Sequence, residues 1–167
     1  MMHALHDLAI VGFAGLMAVA AFEDFRRFTI PNWVTLGVCA LWPVYLLGAF
    51  HLNLALAALA CAFAVFAAGL LLFARGYVGG GDVKLLSAVM LWAGPAAAPS
   101  LLLLTALIGG VLALIILSPA GAYLIAGTRA HLGPAPLPAA AKAGTPVPYG
   151  IAISVASLLI ILSPLFG

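Results

Sequence analysis

Six apolar runs, at about 8–23, 33–50, 54–74, 84–98, 100–117 and 149–166, occupy most of this 167-residue chain. A helix needs roughly 20 apolar residues to cross the hydrocarbon core, so runs of this kind are membrane spans. They leave no stretch for a separate soluble unit. Only 6% of the residues are charged and 66% are hydrophobic, whereas soluble domains carry about a quarter charged residues. Such a chain cannot clothe a globular surface with polar groups. Six Lys and Arg in all cannot build a phosphate-tracking face, which excludes nucleic acid as a partner. The expected fold is all-α: a polytopic membrane bundle of about six transmembrane spans, with residues 1–167 forming one integral-membrane domain in a lipid bilayer.

The interruptions are EDFRRFTIPN (23–32), FHLN (50–53), RGYVGGGD (75–82), GPAAAPS (94–100) and a Pro-, Gly- and Ala-rich connection from about 118 to 148. Arg26, Arg27, Arg75, Arg129 and Lys142 fall after spans one, three and five, and Lys84 opens span four. Positive residues stay in the cytoplasm. These loops are therefore expected to be cytoplasmic, with both termini periplasmic and the chain in a bacterial inner membrane. No basic stretch precedes the first run, so it reads as a retained span and not a cleaved signal.

The acids are only four: Asp7, Glu23, Asp24 and Asp82. A carboxylate at membrane depth costs about 2.5–3.5 kcal/mol on insertion scales and is a functional candidate by default. Asp7 lies near a water-exposed terminus. Asp24 and Asp82 stand 58 positions apart, yet the expected threading brings both to the cytoplasmic ends of spans. Two carboxylates on one face can divide roles, because neighbouring like charges cannot both ionise. One then activates a water as general base while the other protonates a carbonyl oxygen. That is peptide hydrolysis with neither metal nor cofactor. Interface charge is the plain alternative.

Asp82 ends the run Gly79-Gly80-Gly81-Asp82. Glycines remove side chains beside the carboxylate and admit another backbone, which suits a site that receives an extended peptide, although such runs also mark simple turns. Pro31 and Pro148 fit the first turn of spans two and six. Asn32 either caps span two or supports the site. Tyr149 is either an interfacial anchor or a site hydroxyl, and Lys84 either meets lipid phosphate or tunes Asp82. Cys39 and Cys61 lie inside spans, with no CxxC spacing for zinc or a disulfide framework. HExxH and GxSxG are absent. His3 and His6 sit on a terminus, and His51 and His131 fall on opposite expected sides, so none forms a metal site.

The motifs together resemble the type IV prepilin peptidases. Asp24, five residues, then Ile30-Pro31-Asn32 matches that family's first motif, and Gly79 to Lys84 (GGGDVK) matches Gly-x-Gly-Asp-x-Lys. Val147 to Ala152 (VPYGIA) is similar to the third, with Tyr149 and Gly150 before the last span. The resemblance implies an aspartic membrane endopeptidase with Asp24 and Asp82 as the catalytic pair and no cofactor. Gly79, Gly80, Gly81, Lys84, Asn32, Tyr149 and Gly150 would support the site. The implied substrate is a prepilin, cut after a Gly that ends a basic leader and ahead of an apolar helix; the implied partner is the pilus assembly machinery. Larger members carry an insertion with paired CxxC motifs and also methylate the new pilin N-terminus. This chain shows no such insertion and resembles the short, peptidase-only branch associated with Flp or tight-adherence pili. The alternative is a small transporter or proton channel, which would use carboxylates nearer the bilayer midplane. A presenilin-like protease also has Gly-x-Gly-Asp, but Phe22-Glu23 precedes Asp24 here, where that family has Tyr.

Overall fold

The computed structural model describes residues 2–47, 51–118 and 147–163. The described residues are helical, without strands: α1 (Met2–Arg27), α2 (Asn32–Leu46), α3 (Leu52–Ala74), α4 (Gly80–Leu117) and α5 (Tyr149–Leu162). Three stretches are long and apolar enough to cross a membrane, namely Ala4–Arg27, Leu52–Ala74 and Gly80–Ile116; α2 and α5 are apolar but shorter. Most of the connection expected at 118–148, with Arg129, His131 and Lys142, lies outside the described residues, as does part of the turn at 50–53.

The fourth and fifth apolar runs are parted by a break at Gly94, the first residue of the interruption expected at 94–100. Gly94 has φ 63° and ψ 178°, a region that essentially only glycine occupies. Pro95 follows it and opens the second limb, where its missing N–H would be unpaired in any case. The break folds α4 back on itself. A straight helix would hold Val83 and Thr105 about 33 Å apart at 1.5 Å per residue, yet both line one cavity. The limbs 80–93 and 95–117 thus act as two helices. We expect Gly94→Ala to cost about 1–3 kcal/mol through backbone strain, since nothing lies within 4 Å of the added methyl. A lower melting temperature in detergent checks this; an unchanged one contradicts it.

The inward faces follow helical spacing. In α1 Ala9, Phe13, Met17, Ala20 and Asp24 are buried at steps of three or four residues, with Ile10 beside Ala9, as one helix face requires. Asp24 is therefore the polar end of an apolar stripe, and Glu23 falls off it. The first limb of α4 is the most enclosed element, with Leu85, Val89 and Met90 fully buried. It packs against α2 and α3, and α5 bridges α1 and α4. Trp92 fixes one junction by donating from its ring Nε1 to the Val38 carbonyl at 3.0 Å, with the Phe13 ring tilted against it at 4.5 Å. Small residues make the close approaches: Ala55, Ala58 and Ala62 of α3 are buried, while its Phe63 and Leu71 point outward. Large exposed apolar side chains also cover the second limb of α4, including Leu103, Leu107 and Leu114. Surfaces this apolar belong against lipid, with small residues at the helix contacts. The protein is a helical membrane protein.

Candidate active site

Asp24 enters the site from the last turn of α1 and is 4% exposed. The helix ends one turn later, where Phe28 adopts φ 52° and its N–H still reaches the Asp24 carbonyl at 2.9 Å. This left-handed residue turns the chain into Thr29-Ile30-Pro31. Ile30 is then laid against Gly81, so that a Cβ there would meet Ile30 Cβ at 3.4 Å and its backbone N at 3.5 Å. The two expected motifs thus touch through backbone.

Asp82 is the third residue of α4, whose N-cap is Gly79. Its carboxylate faces back to the Gly79 N–H, as an acidic residue does in a capping box, at the end of the helix that favours negative charge. The space above Gly79 is filled by that carboxylate: a Cβ would lie 2.8 Å from Asp82 Oδ2. The ring of Phe73 covers Gly80. The close approaches at the glycine run are therefore made by this chain's own groups, and the expected room for a foreign backbone lies beside the run, in the cavities described below.

The N-terminus of α5 closes on Asp24 from the other side. The Gly150 and Ile151 N–H groups face its carboxylate, where a helix N-terminus favours an anion. A Cβ on Gly150 would stand 2.8 Å from both Cγ and Oδ2 of Asp24. Oδ2 is nonetheless buried with no hydrogen-bond partner. Pro148 is the N-cap of α5 and Pro31 that of α2, each one position ahead of the first turn expected for it. Asn32 is not a cap; its Oδ1 accepts from Lys84 Nζ at 3.2 Å. Tyr149 lays its ring against Gly109, where a Cβ would meet ring Cε1 at 2.6 Å.

The two carboxylates act on each other electrostatically and share two cavities. The larger, of about 620 Å³, is walled mainly by apolar side chains and reaches Val65 and Leu72 of α3, Leu86 and Leu102 of α4, and Tyr149 and Ile153 of α5. The smaller, of about 200 Å³, is bordered by Thr29, Asn32, Gly80, Gly81 and Lys84. All nine residues singled out in the sequence thus converge: eight line one cavity or both, and Gly150 touches Asp24. Thr105, also on the larger cavity, was not singled out. Its signal was there, as the lone polar residue of LLLLTALIGG (101–110), but nothing in sequence placed that run beside Asp82.

Glu23 points elsewhere. It pairs with Arg27 at 3.6 Å, one turn along α1. A pair of this kind, with Arg27 exposed and Glu23 half-buried, is worth about 1 kcal/mol or less, so Glu23→Gln should leave turnover within roughly tenfold of wild type. Comparing conversion of substrate by membranes at equal expression checks this; a loss equal to that of an Asp24 variant contradicts it.

A buried carboxylate and a half-buried one on a shared, mainly apolar cavity, in a helical membrane protein, define a candidate intramembrane hydrolase. The model of the type IV leader peptidase family matches residues 11–114, more than half of the chain. The chain belongs to the type IV leader peptidase family and is a peptidase. The match takes in Asp24 and Asp82 and stops short of Tyr149 and Gly150. No curated protein and no solved structure matches the chain.

Proposed function

We propose that this peptidase removes the leader from type IV prepilins of the Flp type at the cytoplasmic face of the inner membrane, using Asp24 and Asp82 to activate water. The supporting observation is the pair of carboxylates on one cavity, one of them carrying a buried oxygen with no partner. One carboxylate takes a proton from water as the water oxygen bonds to the scissile carbonyl carbon. The other, protonated, gives its proton to the carbonyl oxygen. Collapse of the resulting gem-diol breaks the C–N bond, with a proton passing to the departing nitrogen. The leader leaves with a carboxylate and the pilin with a new amino terminus. No cofactor enters.

The apolar lining of the larger cavity suits the apolar helix that begins the mature pilin, and the smaller, more polar cavity suits the end of the leader. The grouping of Lys and Arg supports a six-span threading with both termini periplasmic; a cytoplasmic C-terminus, found by cysteine labelling, would contradict it. The carboxylates stand at helix ends and not at mid-helix, which favours hydrolysis over ion transport. Incubating the purified protein with an Flp-type prepilin tests the function. Release of the leader is expected without added metal or methyl donor. An intact precursor under conditions that support folding overturns the proposal.

A further inference from the structure

The described residues hold three buried side-chain oxygens with no hydrogen-bond partner: Asp24 Oδ2, Thr105 Oγ1 and Ser154 Oγ. Ser154 lies outside the cavity lining, whereas Asp24 and Thr105 both belong to it. Buried hydroxyls on helices ordinarily turn back to a carbonyl three or four residues earlier. Ser87 does so to Val83 at 2.7 Å, and Ser157 to Ser154 at 2.8 Å. Thr105, 8% exposed, makes no such bond. The fold-back at Gly94 carries it to the cavity that Asp24 and Asp82 share.

We propose that the Thr105 hydroxyl is a substrate-positioning group that hydrogen-bonds a main-chain N–H or C=O of the prepilin beside the scissile bond. The inference rests on the peptidase reading above. A peptide must be extended where it is cut, so the backbone groups flanking the cut lack helical partners. Away from water such groups must be paired by protein. Leu86, Leu102, Ala106 and Ile153 on the same cavity offer no side-chain partner. The carboxylates are engaged with the reacting carbonyl and the water. A hydroxyl both donates and accepts, so Thr105 can pair with either kind of flanking group.

The test uses the purified full-length protein and prepilin, comparing wild type with Thr105→Val, which keeps shape and loses the hydroxyl, and Thr105→Ser, which keeps the hydroxyl. A bond formed in both ground and transition states is read in KM. For Val we expect KM to rise about threefold to tenfold with kcat unchanged, the range one hydrogen bond spans. Ser should restore the wild-type KM, and the melting temperature of the Val variant should not fall. A wild-type KM in Thr105→Val overturns this inference and leaves the peptidase reading standing. Equal losses in Val and Ser also overturn it, because packing and not the hydroxyl would then set the effect. Failure of the wild-type protein to cleave overturns both readings.

Discussion

Asp24→Asn and Asp82→Asn are each expected to reduce prepilin cleavage by about 10²–10⁴-fold, the contribution of a positioned acid or base. Each substitution preserves shape and removes only the capacity to exchange a proton. At Asp82 the amide oxygen can still accept from the Gly79 N–H that its carboxylate faces, so the first turn of α4 keeps its cap. At Asp24 the amide retains an acceptor for the Gly150 and Ile151 N–H groups, and a buried charge is lost. Both variants should therefore fold. Melting temperatures near wild type alongside absent turnover would separate chemistry from stability. Neither residue can replace the other, because water activation and carbonyl protonation are needed together. Maturation at the wild-type rate by either variant would falsify the two-aspartate mechanism.

Much of this site was legible because its elements obey local rules. The count from Ala9 through Phe13, Met17 and Ala20 to Asp24 already places that carboxylate on the buried face of α1 and turns Glu23 away. The pairing of Asp24-x5-Ile-Pro-Asn with Gly-Gly-Gly-Asp is physical, since Ile30 lies against Gly81. Asp82 had two meanings at once: the sequence offered a site carboxylate, while its third place in the helix also makes it a cap. Other features were illegible because they are long-range. The interruption at 94–100 marks a break between two apolar runs but not the residue at which the chain reverses. The backbone at Gly94 puts the break at the first residue of that interruption. Thr105 was hidden for the same reason, as its value depends on a neighbour brought near by that reversal. Asn32 could bond locally or across elements, and Lys84 on α4 decided it.

Gly150→Ala should lower turnover by roughly 10²-fold, the cost of displacing a reacting group by about 1 Å, while leaving the protein folded. Two effects oppose each other at this position. In the interior of a helix, alanine is favoured over glycine by about 1 kcal/mol, so the first turn of α5 should tolerate the change. The new methyl, however, would stand 2.8 Å from both Cγ and Oδ2 of Asp24 and 3.0 Å from its Cβ. These atoms belong to a short side chain that is 4% exposed, and any swing into the cavities it borders carries the carboxylate away from the α5 N–H groups. The carboxylate must shift, or α5 must withdraw and take its N–H groups from Asp24. Either movement changes the separation from Asp82. Gly15→Ala supplies the comparison, because nothing lies within 4 Å of its added methyl, and it should retain full turnover. Turnover and melting temperature measured together distinguish the cases. A Gly150→Ala protein that cleaves like Gly15→Ala would mean that Asp24 is not held by the N-terminus of α5. A large fall in melting temperature would instead make Gly150 a packing requirement of the α1–α5 contact.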